Sequence, residues 1–152
     1  MRLILFYLFV FFIACQNNKT QYKYYAFENQ KWNTDSIVSF SFDKIDTTAS
    51  YDTYLKIRHS VDYQFQNLFL FSNINGKKDT IEVFLSLKNG KWLGKGFGDI
   101  KELDVLISKK KSFDKATKRS YTFEQAMRHN DLEKIIELEG LVAIGLALKR
   151  NE

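Results

Sequence analysis

Few residues in this chain could carry chemistry, and their spacing narrows the field further. His59 and His129 are the two histidines. Neither has a second ligand at metal-binding spacing, and the H-x-x-x-H pair that sets two imidazoles on one helix face is absent. No G-x-S-x-G elbow offers a serine nucleophile. Gly94, Gly96 and Gly98 invite a phosphate-loop reading. A dinucleotide loop, however, needs G-x-G-x-x-G opening a helix, and a P-loop needs lysine followed by Ser or Thr. Here the glycines alternate, so all three fall on one face of an extended chain. That pattern makes a bare strip against which a ring or another backbone packs closely. Asp43 with Asp46, and Glu137 with Glu139, read as solvated strand ends; a glycosidase pair would need a cleft and a fixed separation. The expectation is no catalytic residue, no metal ligand and no cofactor.

The single cysteine is different. Cys15 closes a segment in which Arg2 precedes an apolar run from Leu3 to Ile13, then Ala14, then the polar tract Gln16-Asn17-Asn18-Lys19. A run of that length reaches about 17–18 Å as a helix, short of the hydrocarbon core of about 30 Å. Basic start, apolar centre, small residue and abrupt polarity are the order of a secretory signal. Ala14-Cys15 resembles a bacterial lipobox, in which the cysteine is thioether-linked to diacylglycerol before cleavage; Phe12 stands where leucine is usual. The alternative is a buried free thiol in the core. The expected organisation is a signal peptide over residues 1–14, a lipidated tether over 15–20 and a single β-sandwich domain over 21–152. Acyl chains contribute about 0.8 kcal/mol per buried CH2, so the cysteine would hold the protein at a membrane. With one Cys in the chain no internal disulfide forms, and stability must come from packing.

The formal charge is +5 and falls to +4 without Arg2. Much of the excess sits in one run, Lys109, Lys110, Lys111, Lys115, Lys118 and Arg119. It reads as a solvated loop or as a contact for anionic headgroups or an acidic partner. Nucleic acid is not expected behind an export signal.

The elements that would position these residues are strands. Val38, Phe40 and Phe42 alternate with serines. Leu55 and Ile57 oppose Tyr54, Lys56 and Arg58. Ile81, Val83, Leu85 and Leu87 alternate with Glu82, Phe84, Ser86 and Lys88. Leu68-Phe69-Leu70-Phe71 is continuous and predicts a strand buried on both faces. Asn75-Gly76 and Asn89-Gly90 are dipeptides of two-residue hairpins, with Lys91-Trp92-Leu93 returning after the second. Val142 to Leu148 predicts a closing strand whose second face, Ala143, Gly145 and Ala147, is small and smooth. The stretch 121–139 fits a helical stripe or a strand and turn. There is no proline. Short strands and aromatic richness give an all-β antiparallel sandwich of jelly-roll type.

Several of these stretches occur in a familiar order. Tyr54-Leu55-Lys56-Ile57-Arg58-His59 with Tyr63 and Asn67-Leu68, then Trp92 to Ile100, Tyr121 to Arg128, and Leu141 to Leu146 together resemble the GldH family. These are gliding-motility-associated lipoproteins of the Bacteroidetes. The resemblance implies a small β-rich lipoprotein serving gliding and the type IX secretion apparatus, with no known enzymatic activity. It favours a strand from Tyr121 to Arg128 followed by a turn. It also places Arg58, His59, Tyr121 and Arg128 as a structural or partner-contact network near strand ends.

The expected function is therefore a non-catalytic interaction protein, with the membrane and protein components of that apparatus as partners. A glycan-binding module is the rival, drawn from the aromatic cluster Tyr22, Tyr24, Tyr25, Phe27 and Trp32 and from Phe84 on a polar face. Gln16 is not the aspartate that retains enterobacterial lipoproteins at the inner membrane, and no acidic surface-exposure tract lies between Gln16 and Thr20. Both features point to a periplasm-facing protein, with the choice of membrane open.

Overall fold

The computed structural model describes residues 20–43, 45–113 and 120–151. Cys15, the expected signal segment, and Lys115, Lys118 and Arg119 of the basic run lie outside them. The alternating segments become β1 (Thr20–Ala26), β2 (Lys31–Asn33), β3 (Val38–Ser41), β4 (Ser50–Ser60), β5 (Asn67–Ile74), β6 (Lys77–Phe84), β7 (Ile100–Ser112), β8 (Ser120–Gln125), β9 (Glu137–Glu139) and β10 (Leu141–Arg150). One sheet has the order β1-β10-β4-β7 and the other β3-β8-β5-β6, while β2 and β9 form a small pair beside them. Every pairing is antiparallel. Setting β2 and β9 aside, the chain alternates between the sheets in the jelly-roll manner: β1 in the first, β3 in the second, β4 back, β5 and β6 across, then β7, β8 and β10 in turn.

The core lies between the sheets. Period-2 alternation sends Tyr51, Thr53, Leu55, Ile57 and His59 of β4 inward, opposite Leu68 and Leu70 of β5 and Tyr121 and Phe123 of β8. Trp32 is fully buried, stacks on Phe27 at 4.7 Å and donates its indole N–H to the Ser36 carbonyl at 3.0 Å. Each buried aliphatic or aromatic side chain contributes about 1.5–3 kcal/mol relative to exposure.

Some local expectations change. The run Leu68 to Phe71 is buried on one face only: Leu68 and Leu70 are fully buried, while Phe71 is 47% exposed. Phe69, on the same face as Phe71, is part-buried. Asn75-Gly76 does form the two-residue hairpin, with positive φ at both residues and Ile74 paired to Lys77. At Asn89-Gly90 only the glycine has positive φ. The Gly90 N–H donates to the Leu87 carbonyl, and the Asn89 side chain accepts from the Lys91 N–H. This is a three-residue loop, Lys88 to Gly90, closed between Leu87 and Lys91 with the glycine at its positive-φ position, and the returning segment makes a single bridge, Ser86 with Trp92, rather than a strand. Because β6 ends at Phe84, the alternation stops there: Ser86 is buried and Leu87 is exposed.

The ambiguous stretch resolves into β8, a turn through Asn130 with positive φ, and β9, with no α-helix among the described residues. β8 stops at Gln125, whose side chain accepts from the Met127 N–H at 3.0 Å, so the strand is shorter than the expected span to Arg128.

Candidate interaction site on the first sheet

Sheet order and pleat build the site. Tyr24 of β1, Gly145 of β10, Lys56 and Arg58 of β4, and Glu102 and Asp104 of β7 share the outward face of the first sheet. The register pairs Gly145 with both Tyr24 and Lys56, Lys56 with Asp104, and Arg58 with Glu102. Two cations at i and i+2 on β4 thus meet two acids at i and i+2 on β7, an arrangement of mutually attractive cross-strand pairs. Lys56 Nζ donates to Glu102 Oε1 at 3.0 Å and to Asp104, and Arg58 Nε donates to the other oxygen of Glu102.

Tyr24 reaches this cluster across β10 because Gly145 has no side chain. A Cβ at Gly145 would sit 2.6 Å from Tyr24 Cδ1 and 2.7 Å from Cε1. The ring therefore lies on the strand backbone, its hydroxyl donates to Glu102 Oε2 at 3.1 Å, and the Arg58 guanidinium stands 4.4 Å from its centroid. The smooth face expected on the closing strand is a seat for this ring.

The charges respond to the crowding. Burial pushes the Glu102 carboxyl up, but hydrogen bonds from Lys56 and Arg58 outweigh it and hold the group below its ordinary value. Burial lowers Lys56, and hydrogen bonds to Asp104 and Glu102 reverse that, leaving it raised. The Glu102 hydrogen bond raises Arg58. Burial and then the Glu102 charge raise the Tyr24 hydroxyl. The cluster stays zwitterionic at neutral pH.

The glycine loop borders this cluster. Lys95 and Glu102 exchange both backbone hydrogen bonds, at 2.9 and 2.7 Å, so residues 94–96 run along the free edge of β7. A Cβ at Gly94 would lie 2.3 Å from the Glu102 carbonyl oxygen, and one at Gly96 2.0 Å from that of Ile100. The close approach expected of the glycines is thus made to backbone at Gly94 and Gly96. Gly98 serves a different purpose: open space surrounds it, and its φ of +60° makes the turn. Covering an edge strand in this way also blunts its tendency to pair with foreign strands. Phe97, between Gly96 and Gly98, is 99% exposed. Together with Arg58, Glu102, Asp104 and Ile100 it lines an open groove of about 590 Å³.

The residues expected to act together are dispersed. Arg58 belongs to the outward cluster. His59, its neighbour, faces the opposite way by strand alternation, fully buried with Trp92 at 4.7 Å and Tyr63 at 6.0 Å between ring centroids. Its Nδ1 lies 3.0 Å from the Ser60 carbonyl oxygen, no group among the described residues meets Nε2, and burial lowers its pKa. Tyr121 is a core residue of the other sheet, packed edge-on to Phe42 at 6.4 Å. Arg128 is exposed just beyond β8, beside Phe69, Phe71 and Ala126. Cys15 lies outside the described residues.

The sequence reading takes Tyr24 only as one of an aromatic cluster and Lys56 only as an outward strand residue, and it does not single out Glu102 or Asp104. The signal was present in the Lys-x-Arg of β4 and the Glu-x-Asp of β7, but it becomes a site only once β4 and β7 are known to pair. Among the described residues no three of His, Cys, Asp and Glu converge to hold a metal ion.

The aromatic cluster near the start of the domain also divides. Phe27 and Trp32 are core, Tyr24 joins the ion cluster, and Tyr22 and Tyr25 are exposed. Tyr22 and Tyr24 meet edge-to-face at 68°.

The profile of the GldH lipoprotein family matches residues 19–148. The chain is 36% identical to the gliding motility lipoprotein GldH homolog of Christiangramia forsetii over 149 residues, covering 94% of this chain and 91% of the relative. It is 28% identical to the gliding motility lipoprotein GldH of Flavobacterium johnsoniae over 142 residues, covering 90% and 88% respectively. No solved structure gives a significant match. With the profile and both relatives spanning nearly its whole length, the chain belongs to the GldH lipoprotein family.

Proposed function

We propose that the protein is acylated on Cys15, faces the periplasm, and acts without catalysis as a docking component of the gliding and type IX secretion machinery. Phe97 carries this reading. A phenylalanine held 99% exposed on a loop whose backbone is pinned to β7 has little packing role in the isolated chain. It stands at the lip of a groove whose charges, Arg58 and Glu102, are already fixed in place. An exposed aromatic on a loop whose backbone is already pinned, beside charges already paired in place, is the kind of anchor found at interface centres, and neither the backbone nor the charges need much ordering on binding. The rival glycan reading needs a flat aromatic platform, and the edge-to-face Tyr22–Tyr24 pair does not provide one.

The test is a photo-crosslinking residue in place of Phe97 in the native bacterium, with Phe97→Ser alongside. The reading expects crosslinks to envelope proteins, and loss of spreading with the protein level unchanged. Normal spreading and secretion in Phe97→Ser, with no crosslinked product, would refute it.

A further inference from the structure

The jelly roll has two ends, and their charges differ. At one end lie Thr20 at the start of β1, the β5–β6 turn, the last residues of β7 and those of β10. The register sets Thr20 against Lys149, Lys149 against Asp52, and Ser50 against Ser112. Asn75 exchanges hydrogen bonds with Ser120, which brings the β5–β6 turn to the same end. The described residues there carry seven cations against four acids. Lys77, Lys78, Lys109, Lys110, Lys111 and Lys149 are all exposed. The seventh cation, Arg150, is paired with Asp46 at 2.9 Å, and Asp52 accepts from the Lys110 N–H and from Asn151. The opposite end, formed by residues 27–37, 61–66, 85–101 and 126–140, carries seven cations and eight acids.

We infer that the basic end is a docking surface for an anionic lipid leaflet, so that the domain stands on the membrane with the Phe97 loop pointing away. This rests on the proposed acylation of Cys15. The chain from Cys15 enters the domain at Thr20, on the basic end. Its five residue steps span at most about 18 Å. β4 has eleven residues and runs the length of the sheet, about 33 Å. A tether that short keeps the entry end next to the leaflet. It holds Phe97, beside Ile100 and Ser60 at the other end of β4 and β7, clear of the leaflet unless the domain lies flat. Charge chooses between upright and flat, since only the entry end has the surplus that anionic headgroups attract. Phe97 is then a protein anchor rather than a membrane wedge.

The test uses the full acylated protein in phosphatidylcholine vesicles with and without phosphatidylglycerol. Cysteines introduced at Ser112 and at Asp99 carry a fluorophore, and a headgroup spin label quenches it. The inference expects the label at 112 to be quenched several-fold more than that at 99, with the contrast growing when phosphatidylglycerol is present. Reversing Lys109, Lys111 and Lys149 to Glu should abolish that growth, each cation accounting for about five-fold in attraction. Reversing Lys88, Lys91 and Lys95 should leave it intact at the same net charge.

Equal quenching of the two labels overturns the inference, as does a contrast indifferent to phosphatidylglycerol. Crosslinks from position 112 to an acidic envelope protein, without lipid dependence, overturn it in favour of a protein partner. If mass spectrometry finds Cys15 unmodified, the anchor has failed on its own. Co-sedimentation of the unacylated chain then reads the basic end: binding that needs phosphatidylglycerol and is lost in the 109/111/149 variant upholds it, and absence of binding overturns it.

Discussion

Replacing Gly145 by Ala tests the construction of the ion cluster through a single methyl group. The new Cβ would meet Tyr24 Cδ1 at 2.6 Å and Cε1 at 2.7 Å, so the ring must lift from β10. Lifting it breaks the hydroxyl's hydrogen bond to Glu102 and the contact with Arg58. For a partly buried group these are worth about 1 kcal/mol and about 0.5–1 kcal/mol respectively. Against that, Ala in place of Gly restricts the unfolded chain and stabilises by about 0.4–1 kcal/mol where the site accepts it. Gly145→Ala should therefore destabilise by about 1 kcal/mol.

In a Tyr24→Ala background the ring is gone, and only the Lys23 carbonyl oxygen, 3.0 Å from the new Cβ, remains close. There the same change should be neutral or stabilising by up to about 1 kcal/mol, which leaves a coupling of about 1.5–2 kcal/mol between the two sites. Urea unfolding followed by tryptophan fluorescence reports this, because Trp32 is fully buried against Phe27. The four unfolding curves should share one m-value. Equal cost in both backgrounds would refute the seating of the ring on Gly145, and would assign the obstruction to the Lys23 carbonyl, 3.0 Å from the same Cβ.

Gly96→Ala should destabilise far more than Gly98→Ala, by about 3 kcal/mol or more against about 1–2 kcal/mol. At Gly96 the Cβ strikes the Ile100 carbonyl, whereas at Gly98 only the positive φ resists; equal melting temperatures would contradict this. His59 should make stability fall as pH drops. Its folded pKa is depressed by burial below 6.5, so under that pH the unfolded chain takes up a proton that the folded chain refuses. The loss begins near pH 6.5 and levels off below the folded value, and His59→Gln should remove this limb from the urea midpoint measured against pH. Glu102 supplies a separate, lower limb: its folded pKa lies below 4.5, so its contribution is present above 4.5 and disappears as the carboxylate is protonated, and Glu102→Gln should flatten that part of the curve. Cys15→Ser should abolish incorporation of a palmitate analogue, and persistent labelling would place the acyl group elsewhere.

The strands were readable because alternation is a local property. Leu55 and Ile57 against Lys56 and Arg58 announce a half-buried strand to any reader of six residues. Asn75-Gly76 likewise specifies a turn through backbone sterics alone. Asn89-Gly90 carries the same letters, yet its geometry was set by Leu87 and Lys91 bonding across it and by β6 having already ended. The run Leu68 to Phe71 looked buried on both faces because hydrophobicity does not state how many layers a fold will stack. The jelly roll stops at two, and Phe71 is left outside.

Strands, a cysteine behind an apolar run and the alternation of three glycines can be read locally, since each depends on neighbours along the chain. Folding in three dimensions was needed to pair β4 with β7, to lay Tyr24 across Gly145 as far as Glu102, and to give Arg58 and His59, on opposite faces of one strand, their different surroundings. Those outcomes join residues as distant along the chain as Tyr24 and Gly145. Pairing between distant strands is chosen by how the whole set of apolar faces closes over one core, and no short window of sequence contains that choice.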